Sequence, residues 1–76
     1  MNKKKRQMLS EATSHLEVAS SIINDVLDDE QDCLDNMPEN LEMSDRYEKM
    51  ENAIGCLESA LESIEQAESS IDEASS

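Results

Sequence analysis

The side chains that could carry nucleophilic, acid–base or zinc chemistry are one histidine and two cysteines: His15, Cys33 and Cys56. No zinc-ligand spacing surrounds His15, and the two cysteines do not form a CxxC arrangement. Catalysis by a pair of carboxylates needs an apolar cleft that buries the pair, and nothing in this sequence predicts one. These residues therefore do not indicate an active site.

An acidic segment, DDEQDCLDN at residues 28–36, is the one stretch that suggests a calcium loop. Such loops need glycine at the sixth position and alternating ligands in a non-helical turn. Here the acids fall at the predicted end of a helix, and the only glycine of the chain is Gly55. A phosphate-binding glycine loop is absent for the same reason. We expect no metal, no cofactor and no catalytic residue, so the chain is predicted not to be an enzyme.

The composition indicates a single helical domain over residues 1–76, because helix-forming residues dominate and one Gly and one Pro leave room for one break. The net charge is −13, which makes nucleic acid and anionic membrane poor partners. No apolar run approaches the ~18 residues of a membrane span. The start, MNKKKRQMLS, lacks the apolar segment of a secretory signal. We expect a cytoplasmic location, where both thiols stay reduced.

The first half of the chain carries apolar residues at alternating steps of three and four: Leu9, Ala12, Leu16, Ala19, Ile23 and Val26. This pattern is typical of one helix face and predicts helix 1 at about residues 3–35. Asn36 can adopt the left-handed conformation that ends helices. Pro38 cannot continue a helix interior.

The second half reads in sevens, MENAIGC, LESALES, IEQAESS and IDEASS, with a large apolar residue and an alanine in each repeat. Ser44 or Asp45 can cap this helix. We predict helix 2 at about residues 45–74 and a turn at residues 36–44. A short connection between helices of similar length predicts an all-α, antiparallel two-helix hairpin in which facing residue numbers sum to about 82.

Alanine in every heptad lets the two helices approach closely along one side. However, the apolar stripe is wider than one partner helix can cover. We call the line of contact between the two helices the seam. Five large residues are predicted to lie beside it: Ile22, Leu27, Leu34, Ile54 and Leu61. This surplus predicts a homodimer that forms a four-helix bundle. The alternative is that the same surface binds a different protein.

The basic residues have a structural explanation. In the hairpin Lys3–Arg6 lie beside the acidic end of helix 2. Positive charge at the start of helix 1 and negative charge at the end of helix 2 are each unfavourable to the helix dipole, by ~0.3–1 kcal/mol per charge. Side by side, the two sets of charges attract and offset this cost. The acidic residues at that end are Glu68, Asp72 and Glu73. Near the turn, Arg46 and Lys49 fall close to Asp32 and Asp35. Direct nucleic-acid binding by Lys3–Arg6 is therefore disfavoured.

One side of helix 2 carries acidic residues at six of eight positions spaced three and four apart. This acidic row consists of Glu48, Glu51, Glu58, Glu62, Glu65 and Asp72. The five glutamates are candidate partner-binding residues, because a stripe of fixed negative charge can occupy a basic cleft. The alternative is a solvated face that keeps a small protein soluble.

The turn is unusually apolar. It brings together Met37, Leu41, Met43 and Tyr47. These four are a second set of candidate partner-binding residues, because methionine-rich surfaces adapt to different partners. The alternative is a plug that covers the end of the seam.

The segment LDNMPENLEMSDRYEKMENAIGCLESALESIEQA resembles short acidic helical-hairpin proteins encoded by phages and mobile elements of Gram-positive bacteria. The specific part is DNMPENL followed by SDRYEKMENA, whereas the heptads are common to many helices. The resemblance carries over no site residue. It implies a phage or prophage accessory protein that acts in the cytoplasm of a bacterial host.

Taken together, these patterns predict a non-enzymatic binding protein that occupies a surface of an unidentified host protein with its acidic face. That host protein could be one that binds nucleic acid or defends against foreign DNA. Two alternatives stay open. One is a purely structural bundle or small chaperone, and the other is a DNA mimic that inhibits a nucleic-acid enzyme.

Overall fold

The computed structural model describes residues 1–41 and 44–76, with the backbone alone at Leu41. The described part contains α1 (Lys3–Asp35), a short 3₁₀ helix (Glu39–Leu41) and α2 (Asp45–Ser75). The two long helices pack against each other along their length in antiparallel orientation, since the start of α1 and the end of α2 line one groove. The predicted all-α hairpin is confirmed.

Helix α1 begins after Asn2, whose side-chain oxygen accepts a hydrogen bond from the Lys5 backbone N–H at 2.8 Å. At the other end, Asn36 donates from its backbone N–H and its side-chain amide to the Asp32 carbonyl, at 3.1 and 2.8 Å. Asn36 has φ −95°, so the expected left-handed ending is wrong. The side-chain amide adds a second bond to the Asp32 carbonyl, and the Met37 N–H donates to the Leu34 carbonyl at 3.2 Å, so the last carbonyls find partners without a left-handed residue.

Helix α2 begins after Ser44, whose hydroxyl accepts a hydrogen bond from the Tyr47 backbone N–H at 3.2 Å. Asp45 and Glu48 occupy its first turn, where negative charge is favourable to the helix dipole. The Ser44 cap thus fixes where the second helix starts.

The core of the hairpin is thin. Among the described side chains only Leu27 and Ile54 are buried, each 8% exposed. Other seam residues are half-buried, among them Leu9, Leu16, Ile23, Leu34, Leu57, Leu61, Ile64 and Ile71. Of the five residues predicted to lie beside the seam, only Ile22 is exposed; the other four belong to the seam, because α1 and α2 turn those side chains towards each other. Complete burial of one such side chain stabilises a fold by roughly 1.5–3 kcal/mol, so two buried residues give little. The hairpin measures 59 × 15 × 13 Å, which leaves most of each helix facing outward.

Candidate functional site

The acidic row lies on the outside of α2. All six of its carboxylate residues are exposed, as are Gly55 and Ser69, which fill the remaining two positions. Steps of three and four keep these positions on one side of an α-helix, so the row runs about 36 Å along the hairpin. The five glutamates predicted to bind a partner are therefore exposed on one continuous strip.

No carboxylate of this strip forms an ion pair within 4.0 Å of a described basic side chain. Within residues 1–41 and 44–76 the one ion pair closer than 4.0 Å joins His15 Nε2 to Glu11 Oε1 at 3.9 Å, and it lies on α1. Like charges three or four residues apart each destabilise a helix by about 0.2–0.5 kcal/mol. Glu62 has two such neighbours, Glu58 and Glu65. The strip therefore lowers the stability of the helix that carries it.

At the open end of the hairpin, a shallow groove of about 470 Å³ separates the two helices. Arg6 lines it together with Glu68 and Asp72, so part of the basic start of α1 does lie beside the acidic end of α2. None of these side chains forms an ion pair within 4.0 Å in the described part of the chain. The attraction is therefore between solvated charges, which makes it weak and salt-sensitive.

A second set of acidic residues on α1 lies on the same side of the hairpin as this groove. Counting about 100° per residue, Glu17, Asp28 and Asp35 fall within about 20° of Arg6 or Ser10, two residues that line the groove. All three are exposed. We call the acidic row together with these three residues the acidic face.

The predicted apolar tip is only partly described. Met37 and Tyr47 are half-buried. Their backbone N–H groups donate to the Leu34 carbonyl and the Ser44 hydroxyl, both at 3.2 Å. The Leu41 side chain and Met43 lie outside the described residues, so the tip as a binding surface stays a prediction.

The two cysteines of the chain are not joined in a disulfide. Cys33 and Cys56 are free thiols, and both are exposed. No group of three or more His, Cys, Asp or Glu side chains could hold a metal ion in the described part of the chain. No described helix is long and apolar enough to cross a membrane. The chain's lack of enzymatic activity stays a prediction.

An exposed apolar flank on α1 is the feature that the sequence pattern did not separate from the core. Met8 and Val18 are each 60% exposed, Ile22 59% and Val26 47%. Val26 starts out as a core candidate by its spacing, but it lies about 100° around α1 from the buried Leu27. The steps of four from Val18 to Ile22 to Val26 are the signal that could have identified this flank.

No protein-family model, curated protein or solved structure matches the chain. The resemblance to phage-encoded hairpins stays a resemblance of sequence.

Proposed function

We propose that this chain is a non-enzymatic binding protein whose acidic face occupies a basic surface of another protein. The observation that carries the proposal is the acidic row, in which six carboxylates are exposed and none lies within 4.0 Å of a described basic side chain. In the setting that the resemblance suggests, the chain is a phage or prophage accessory protein in a bacterial cytoplasm. Its target there is a host protein.

The physical basis is electrostatic attraction over a long, rigid strip. A helix holds the carboxylates at fixed spacing, so they need little ordering when a partner binds. Complementary charge of this kind raises association rates and selects partners more than it raises affinity. Binding should therefore weaken steeply as salt is added, because the Debye length falls from about 30 Å at 0.01 M to about 8 Å at 0.15 M.

A DNA mimic is the second candidate, and the acidic face favours it. The row alone places a charge every ~6 Å, against ~3.4 Å for the phosphates of one DNA strand. With Glu17, Asp28 and Asp35 the spacing falls to about 4 Å, which approaches that of one strand. The charge density of the acidic face is still less than half that of a duplex, which carries one charge per ~1.7 Å. A target that binds single-stranded nucleic acid therefore fits better than one that grips a duplex.

The test compares what tagged proteins capture from a bacterial lysate at about 0.05 M and about 0.5 M salt. The row variant reverses three charges: Glu58→Lys, Glu62→Lys and Glu65→Lys. The control variant makes the same change in net charge on the outer side of α1: Glu11→Lys, Asp25→Lys and Asp32→Lys. All six residues are exposed, so both variants should keep the fold.

We expect a protein that wild type and the control variant capture at low salt, and that the row variant does not. A captured protein that all three hold equally would refute a role for the acidic row. Equal loss with both variants would mean that net charge, and not the row, decides binding. A target released by a single-stranded oligonucleotide would favour the DNA mimic.

A further inference from the structure

The side of the hairpin opposite the groove carries apolar residues on both helices, exposed on α1 and mostly half-buried on α2. On α1 it includes Met8, Ile22 and Val26, and on α2 Ala53, Ala60, Ala67 and Ala74. We call these seven residues the apolar face. The alanines are half-buried or exposed, so they form a shallow strip next to a raised row of larger side chains.

The positions of these residues around each helix place them on one side. Ile22 lies about 120–180° around α1 from Arg6, Ser10 and Thr13, the α1 residues that line the groove. On α2, Ala67 lies about 140–160° from Ser69 and Asp72, which line the same groove. The apolar face and the groove with its acidic side chains are therefore on opposite sides of the hairpin.

We propose that the apolar face is covered by a second copy of this chain, with both turns at the same end of the dimer. A two-fold axis along the hairpin places the raised row of one copy on the alanine strip of its partner. Because facing residue numbers sum to about 82, Ile22 lies level with the partner's Ala60 and Met8 with the partner's Ala74. A large side chain opposite alanine allows the close helix spacing of about 8–10 Å.

The side of the hairpin that carries the apolar face is large enough for a stable dimer. The apolar face itself runs about 30 Å along the helices. Contact along the whole 59 × 15 Å side would cover an outline of about 900 Å², close to the ~800 Å² per partner of a standard interface. The hairpin alone buries only Leu27 and Ile54 among its described residues. In chains of this size a single hydrophobic core rarely supplies more than about 3–5 kcal/mol of folding stability. Such chains usually gain further stability from another source, such as oligomerisation.

Association of two copies and binding through the acidic face should respond oppositely to salt. Each copy carries a net charge of −13, so two copies repel each other and salt should strengthen the dimer. Binding of a basic partner should instead weaken. The dimer can therefore fail while the proposed function survives, and the reverse.

The experiment is sedimentation equilibrium of the whole chain over a range of concentrations, at low and high salt. Wild type should reach twice the chain mass of 8.5 kDa. For the variant with Ile22→Gln and Val26→Gln, the dissociation constant of the dimer should be at least ~10-fold higher than for wild type. Both positions are exposed in the single hairpin and glutamine favours helix, so helicity at equal concentration checks that the variant still folds. A wild-type chain that stays at 8.5 kDa at ~100 µM would overturn the proposal, as would an equally stable dimer of the variant.

A cross-linking measurement tests the orientation. Chains with Cys33→Ser and Cys56→Ser are prepared with either Ile22→Cys or Ala60→Cys and then mixed under mild oxidation. A disulfide between the Ile22→Cys chain and the Ala60→Cys chain should form quickly. The control replaces the Ala60→Cys chain with one that carries Glu62→Cys on the acidic face, and its disulfide with the Ile22→Cys chain should form more slowly. Equal rates for Ala60→Cys and Glu62→Cys would overturn the same-end arrangement.

Discussion

Reversing one charge in the middle of the acidic row should make the hairpin more stable while it weakens binding to a basic partner. Glu62 lies four residues after Glu58 and three before Glu65, and all three are exposed. Glu62→Lys turns two repulsive pairs into two attractive ones. Stability and binding should therefore change in opposite directions in one variant.

The magnitude follows from the pair energies. A like-charge pair at this spacing costs about 0.2–0.5 kcal/mol and an opposite pair contributes a similar amount, so each pair changes by about 0.4–1 kcal/mol. The Glu58 pair has the better orientation, because the glutamate precedes the lysine by four residues. The two pairs together contribute about 0.8–2 kcal/mol. Each 1 kcal/mol raises Tm by about 4–8 °C in a chain of this size.

The assay is thermal unfolding followed by circular dichroism at 222 nm, at one fixed protein concentration because self-association would shift Tm. The gain should shrink at high salt, since exposed charge pairs are screened. Glu62→Gln removes the repulsion without adding attraction, so it should give about half of the effect.

Glu17→Lys is the matched control. It changes the net charge by the same amount at an exposed mid-helix position whose neighbours three and four residues away are uncharged. Those neighbours are Thr13, Ser14, Ser20 and Ser21. If Glu17→Lys raises Tm as much as Glu62→Lys, the general negative charge of the acidic face explains the gain and the pair argument is wrong. A lower Tm for Glu62→Lys would show that Glu62 makes a stabilising contact.

Three further predictions concern the fold. Leu27→Ala or Ile54→Ala should lower the free energy of unfolding by about 2–4 kcal/mol, because each removes one of the two side chains that are 8% exposed. Ser44→Ala should cost about 1 kcal/mol, because its hydroxyl accepts the Tyr47 N–H at 3.2 Å. Gly55→Ala should stabilise α2 by about 0.5–1 kcal/mol, since a Cβ there meets nothing within 4 Å. Denaturant unfolding measures all three.

Each of these has its own control. Leu27→Met keeps the volume and should cost less than about 1.5 kcal/mol, so a loss as large as that of Leu27→Ala would point to something other than packing. Ser63→Ala, an exposed position within α2, should not destabilise, and a cost equal to that of Ser44→Ala would disprove the cap. If Gly55→Ala lowers the free energy of unfolding instead, the space around this position is not open in the folded protein.

The sequence by itself determined the two helices, the break between them and the existence of the acidic row. These depend on local features: Pro38 interrupts helix, Ser44 caps the next one, and steps of three and four place carboxylates on one side of a helix. Each of these acts within a few residues along the chain. None needs the position of the other helix.

Only the tertiary structure decided which apolar residues form the core. Leu27 is buried while its neighbour Val26 and the nearby Ile22 are exposed, although all three are equally apolar in the sequence. The apolar stripe of α1 is wider than one partner helix can cover, so burial depends on how α1 is rotated about its axis against α2. That rotation also places the apolar face and the acidic face on opposite sides of the hairpin, because it fixes both helices relative to one seam.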